Sequence, residues 1–281
     1  MLGALIIVFR EVLEAALVIG VVAAAVQGLA HRGRRIASGV ALGIAGSALV
    51  AAGLGVISQF QDGRGQELLQ AAVLLIAGCM LIWHNLYMAE HGREVTAHLK
   101  TLGSEVMSGA APVTMIVGVT AIAVVREGSE IVLFLYALAA GGAGKLGLLF
   151  GGLVGLACGV AVGYVLFLGL SRISVRRLFQ VSGWIMLFIA AGMIGNAVMY
   201  LVQVDYLPAL VSPLWDSSRL LSGSSIAGRT LSALAGYTPT PSLTQVAVWL
   251  ATFVGVGGWM LAKDRKVRGR LAAPRQAPLV S

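Results

Sequence analysis

Seven apolar stretches, each long enough to cross a lipid bilayer as a helix, occupy most of this 281-residue chain. A helix needs about 20 predominantly apolar residues to span the hydrocarbon core. Only 11% of the residues are charged, whereas soluble proteins carry about 25%. The sequence therefore predicts an all-α polytopic membrane protein with seven transmembrane helices. The predicted spans are Leu2–Ala30, Ile36–Phe60, Leu68–Ala89, Pro112–Ala140, Leu146–Leu170, Val181–Val202 and Leu243–Ala262.

Lysine and arginine are distributed unevenly between the two sides of these spans. Fourteen lie on one side, four lie on the other, and two lie inside spans. Because the basic side of a membrane protein faces the cytoplasm, we expect the N-terminus outside and the C-terminus inside, in the cytoplasmic (inner) membrane. Basic loops explain the net charge of +8 without a nucleic-acid partner. We expect residues 1–262 to form one transmembrane domain, with a long outer loop at 203–242 and a basic cytoplasmic tail at 263–281.

Two of the apolar stretches are interrupted by the same charged motif, Arg-Glu-x-x-Glu. It occurs as Arg10–Glu14 in the first span and as Arg126–Glu130 in the fourth. A charged residue at the centre of a membrane helix costs roughly 2.5 to 3.5 kcal/mol. Six such residues facing lipid would cost on the order of 15 to 20 kcal/mol, more than the net stability of a typical domain. We therefore expect them to face one another or a wet cavity, and they are the candidate functional site.

Each motif opens a set of three spans, which predicts an internal repeat of residues 1–89 and 112–202, with the seventh span at 243–262 left over. Three crossings are an odd number, so the second set is inverted relative to the first. Transporters built from inverted repeats bind their substrate near the bilayer midplane. Spans two and five both carry glycines at nearly four-residue spacing, which favours close helix packing. The alternative is that these glycines form a surface along which one helix bundle slides against the other.

The spacing within each motif places its carboxylates on one face of a helix. Glu11 and Glu14 are three residues apart, as are Glu127 and Glu130, and each arginine can reach the second glutamate four residues on. We therefore interpret Arg10 and Arg126 as orienting Glu14 and Glu130. If the two faces meet, the ionised site carries a charge of −2, which suits a multivalent cation. Neither motif contains His or Cys, so Mg, Ca, Mn and iron all stay open.

The paired motif resembles that of the oxidase-dependent iron transporters, which include the fungal high-affinity iron permease and its bacterial counterpart. The resemblance covers nearly the whole chain, including Pro213–Asp216 and Ala235–Tyr237. It implies that the chain is a permease rather than an enzyme and that iron is its substrate, with no cofactor. It also implies a partner outside the membrane that oxidises or delivers iron, and a homo-oligomer stays open. The resemblance identifies the expected iron ligands as Glu11, Glu14, Glu127 and Glu130.

Some residues depart from the family or lie outside its motif. The second motif has Ser129 where the family often has leucine, and span six lacks the histidines expected in bacterial relatives. Asn196 and Met199 could still be weak ligands there. His84, His91 and His98 recur every seven residues along span three and a predicted cytoplasmic extension of its helix. We expect a solvated amphipathic helix there, with a weak metal exit site of His91, Glu94 and His98 as a secondary hypothesis.

Two other functions stay open from the residues alone. Lipid pyrophosphate phosphatases also use intramembrane glutamates, but the chain lacks a phosphate-binding run of the Pro-Gly-x-Ser-Arg-Ser type. The other of these two functions is transport of a different divalent metal. The sequence does not distinguish Fe(II) from Fe(III), nor does it show the energy source.

Overall fold

The computed structural model describes residues 1–57, 64–169 and 175–272, and all regular structure in these ranges is helical. The apolar spans form helices because their backbone groups have no other partners in a bilayer. The helices are α1 (Leu2–Ala25), α2 (Arg32–Ile57), α3 (Arg64–Met107), α4 (Thr114–Ala140), α5 (Lys145–Phe167), α6 (Val175–Gln203), α7 (Ile226–Ala235) and α8 (Leu243–Ala272).

The helix bounds differ from the predicted spans at several ends. Helix α1 ends at Ala25, five residues before the predicted end of span one. The predicted extension of span three is present, since α3 is one helix of 44 residues. Helix α8 runs on to Ala272, ten residues past the predicted span, into part of the expected tail. Residues 273–281 of that tail lie outside the described part of the chain.

Five described helices are long and apolar enough to cross a membrane, namely α2, α3, α5, α6 and α8. The chain is therefore a multi-pass membrane protein. Helices α1 and α4 have the length of a span but carry three charged residues each. Their crossing, the total of seven spans and the orientation stay predictions.

Each of the first three helices packs mainly on a helix from the other half of the chain. Helix α1 packs on α5 and α2 packs on α4, while α3 packs on α6. A two-fold relation between the halves would produce this arrangement, which agrees with the predicted repeat. Several glycines of α5 lie against the α1 backbone, where a Cβ at Gly155 would come within 2.5 Å of the Leu5 carbonyl oxygen. On α2, a Cβ at Gly39 would lie 2.8 Å from the Val117 carbonyl oxygen of α4.

Two clusters of buried apolar side chains lie along the bundle, one on each side of the charged motifs. The first cluster joins the start of α1 to the first half of α3 and the end of α4. The second joins the end of α1 to the second half of α3 and the start of α4. The first cluster includes Ala4, Ile7, Leu74, Ala77, Leu81, Phe134 and Ala137. The second includes Val22, Val26, Leu99, Val106 and Ile116.

The segment predicted as a long outer loop contains the ten-residue helix α7. Its N-terminus is capped by Ser225, which accepts from the Gly228 amide, and Gly236 ends it in the left-handed conformation. Gly236 lies directly on Gly192 of α6, and Gln245 at the start of α8 donates to its carbonyl at 3.2 Å. Earlier in the segment, before α7, hydrogen bonds from Ser218 lower the pKa of Asp216. This connection is thus a folded cap tied to α6 and α8.

Candidate metal centre

The two charged motifs and one histidine meet in the interior of the bundle. Ligand atoms of four buried residues all lie within 4.8 Å of one another. Among the described residues this is the one group of three or more His, Cys, Asp or Glu side chains with such geometry. Its members are Glu11 of α1, His84 of α3, and Glu127 and Glu130 of α4.

The two carboxylates of α1 have different surroundings. Glu14 is held on both sides, because Arg10 Nε donates to its Oε1 at 2.9 Å and His84 Nε2 lies 3.0 Å from its Oε2. Glu11 is 0% exposed, yet neither of its oxygens has a hydrogen-bond partner in the described structure. A buried polar group without a partner is costly. Glu11 is therefore a carboxylate directed at the cluster with its coordination capacity unused.

The motif of α4 is arranged less tightly. Arg126 Nε lies 3.3 Å from Glu130 Oε1 and 3.8 Å from Glu127 Oε1. Its side chain is 40% exposed, whereas the Arg10 side chain is 2% exposed. Glu127 Oε2 is buried without a hydrogen-bond partner among the described atoms, whereas Glu130 Oε2 lies against the His84 ring. Both motifs thus contain the Arg–Glu pair that the spacing predicts, but only the pair on α1 is sealed from the surface.

His84 lies among the carboxylates and brings an imidazole to a group for which the sequence predicted glutamate ligands alone. Its side chain is 1% exposed, its Nδ1 lies 2.7 Å from Glu130 Oε2 and its Nε2 lies 3.7 Å from Glu11 Oε2. The sequence contained a signal for it, because His84 is an ionisable residue in the middle of an apolar span. Its seven-residue spacing to His91 and His98, however, groups it with the predicted cytoplasmic helix.

The secondary candidates lie elsewhere or contact no member of the cluster in the described structure. Ser129 lies within the second motif, and its hydroxyl is buried without a partner among the described residues. Asn196 of α6 faces α7, where its amide donates to the Ser232 carbonyl at 3.1 Å. Met199, also on α6, is half-buried. Glu94 and His98 are exposed on α3, while the side chain of His91 lies outside the described part. The weak exit site stays a prediction.

The geometry is compatible with a bound metal ion. Ligands on opposite sides of an ion with bonds of about 2.1 Å are about 4.2 Å apart. The cluster would need to contract by only a few tenths of an ångström per ligand to reach that size. Three carboxylates and one imidazole suit a divalent transition-metal ion. An acidic cluster alone would be weak support, but the unpartnered oxygens of Glu11 point into this one.

Comparison with known proteins identifies relatives over most of the chain. The model of the iron permease FTR1 family matches residues 1–263. A ferrous iron permease EfeU of Escherichia coli O6:K15:H31 is 31% identical over 250 residues, which cover 87% of this chain and 89% of the relative. A ferrous iron permease EfeU of Yersinia pestis is 27% identical over 249 residues, covering 87% of each chain. Comparison with the solved structures found no match.

Proposed function

The chain belongs to the iron permease FTR1 family, and we propose that it carries ferrous iron across the cytoplasmic membrane into the cell. The ion binds in transit at the cluster of Glu11, Glu127 and Glu130 together with His84. One observation carries the assignment: buried carboxylates from both halves of the chain converge with unpartnered oxygens. The relatives named ferrous iron permeases support Fe(II) as the transported state.

The apolar clusters support a conformation that is closed at both ends. Along α1, the motif lies between Ile7 of the first cluster and Val22 of the second. Along α4 it lies between Ile116 and Phe134. An ion at the carboxylates would therefore be shielded from water on both sides. We propose that motion of one repeat against the other opens each side in turn, as in other transporters built from inverted repeats.

Transport is a better reading than the enzyme alternative, because the family and its relatives are permeases. An extracytoplasmic iron-oxidising or iron-delivering partner and a homo-oligomer stay predictions. The folded cap that contains α7 offers the partner a structured surface if the predicted orientation holds. Competition between Fe(II) and other divalent metal ions for uptake distinguishes an iron permease from a transporter of another divalent metal.

The test is uptake of radiolabelled Fe(II) and Fe(III), in separate assays, into proteoliposomes. We expect Fe(II) uptake to fall at least about tenfold in Glu11→Gln and in Glu127→Gln, because each removes a charged ligand. The matched control is Glu105→Gln, which changes an exposed glutamate on α3 and should leave the uptake unchanged. Wild-type rates in both cluster variants would refute the site, and saturation by Mn(II) at equal efficiency would demote iron to one of several substrates.

A further inference from the structure

His84 is the one nitrogen donor in a cluster that otherwise consists of carboxylates. The second half of the chain contributes no imidazole, since no histidine occurs after His98. Helix α6, which packs on α3, has buried apolar side chains there, including Met186, Ile189 and Met193. The histidine therefore breaks the two-fold likeness of the halves at the point where their carboxylates meet. A structural role shared by both halves does not account for a histidine that only one half contains.

The two ring nitrogens of His84 are not equivalent. Nε2 forms a hydrogen bond with Glu14 Oε2 at 3.0 Å, and Glu14 is itself held by Arg10. Nδ1 lies 2.7 Å from Glu130 Oε2, a carboxylate oxygen of a cluster member. Histidines that bind metals commonly donate the other ring N–H to a carboxylate, which fixes the ring orientation. Arg10, Glu14 and Nε2 form that kind of chain, and it leaves Nδ1 directed at the cluster.

We infer that His84 is the specificity-determining residue of this permease, with Nδ1 as a ligand that favours Fe(II) over Mg(II) and Ca(II). Glu14 then acts as a positioning residue for the ring rather than as a ligand. The inference rests on the proposed transport function. Mg(II) and Ca(II) are bound by oxygen donors, whereas imidazole suits iron and its transition-metal neighbours. A cluster of carboxylates alone would not separate these two classes of ion.

The experiment measures how strongly Mg(II) and Ca(II) inhibit Fe(II) uptake into proteoliposomes. We expect His84→Asn to lower the ratio of the inhibition constants to the Fe(II) KM at least about tenfold. His84→Gln is the second variant, because its longer amide reaches further into the cluster. The control is His31→Asn, which changes an exposed histidine in the loop after α1 and should leave the ratio as in wild type.

The outcomes separate a ligand from a purely structural histidine. If His84 only held Glu14 and Glu130 in place, both variants would weaken all ions equally and the ratio would stay constant. That result would overturn the inference while leaving iron transport intact. Absence of Fe(II) uptake by the wild-type protein would instead remove the proposed function. A variant that fails to fold would show an altered elution volume in detergent, and the remaining His84 variant would then decide the question.

Discussion

At the scale of single residues, the two arginines have the same spacing to glutamate but different environments. Arg10 is 2% exposed and bonds to Glu14, whereas the Arg126 side chain is 40% exposed and is shared between Glu127 and Glu130. Removing one partner of a buried ion pair leaves a charge without compensation, which is far more costly than the loss of an exposed pair. The two copies of the motif should therefore respond differently to the same substitution.

We predict that Arg10→Met lowers the free energy of unfolding by about 3 to 5 kcal/mol, as expected for a broken buried pair. The matched change Arg126→Met should cost less, because the Arg126 side chain is 40% exposed and lies 3.3 Å from Glu130, against 2.9 Å in the Arg10–Glu14 pair. Denaturation of the purified protein in detergent measures both values. Equal losses in the two variants would contradict the difference in burial between the two pairs.

At the scale of helices, close approach between the halves depends on glycines that face a partner backbone. Gly155 and Gly159 of α5 lie on α1, at Leu5 and Phe9. The neighbouring Gly152 is different, because a Cβ there would meet only a Val8 methyl group at 3.9 Å. The row of glycines along α5 is thus a packing surface. Only the glycines that contact the α1 backbone limit how closely the two helices approach.

We predict that Gly155→Ala destabilises the protein by about 1 to 3 kcal/mol, the usual range for overpacking. The added methyl group would lie 2.5 Å from the Leu5 carbonyl oxygen and 3.0 Å from the Phe9 amide nitrogen, so the two helices must separate. Gly152→Ala on the same helix is the control and should be neutral. Thermal unfolding in detergent compares the two variants. Equal melting temperatures would show that α1 and α5 can separate to admit the methyl group without loss of stability.

At the scale of the whole molecule, the first apolar cluster lies between the candidate metal centre and a cavity of about 220 Å³. The cavity lies between the start of α3 and the end of α4, and its lining includes Gln66, Gln70 and Tyr136. Phe134 is 0% exposed and is the largest side chain of the cluster. In the predicted orientation this end of the bundle faces outward, so the cavity and then Phe134 lie on the route of an entering ion.

We predict that Phe134→Ala speeds exchange of bound iron with the solvent, because it removes the bulk of the apolar barrier. Exchange of radiolabelled Fe(II) from detergent-solubilised protein into unlabelled iron measures the rate. The substitution also opens a cavity worth about 3 to 5 kcal/mol of stability, so Phe134→Leu provides a milder second variant. An exchange rate that matches wild type in both would place the route elsewhere.

The sequence predicted the features that depend on local patterns and missed those that depend on contacts between distant segments. The Arg10–Glu14 pair and the long helix α3 follow from residue spacing, and both are present. The sequence does not place His84 at the candidate metal centre, because nothing in span three shows which helix its ring meets. The difference between Arg10 and Arg126 could not be read either, since burial depends on how α1 and α4 sit in the bundle.

Helix α7 was also missed, for a different reason. Its ten residues lie between proline-rich stretches and contain no long apolar run. The Ser225 cap and Gly236 terminus were local signals of a helix, but so short a helix is stabilised mainly by packing. Its support comes from α6, where Gly236 lies on Gly192, and the sequence did not reveal that contact.

The unbroken helix α3 runs from the candidate metal centre to the far end of the bundle. About 34 Å of helix separate His84 from Met107 at 1.5 Å per residue, and that end rests on the loop after α1, where Met107 reaches Gly28. A tilt of about 5° around the imidazole would move this end by about 3 Å. Any reorientation of α3 at the cluster would thus be amplified at the opposite end of the helix, beside the loop that joins α1 to α2.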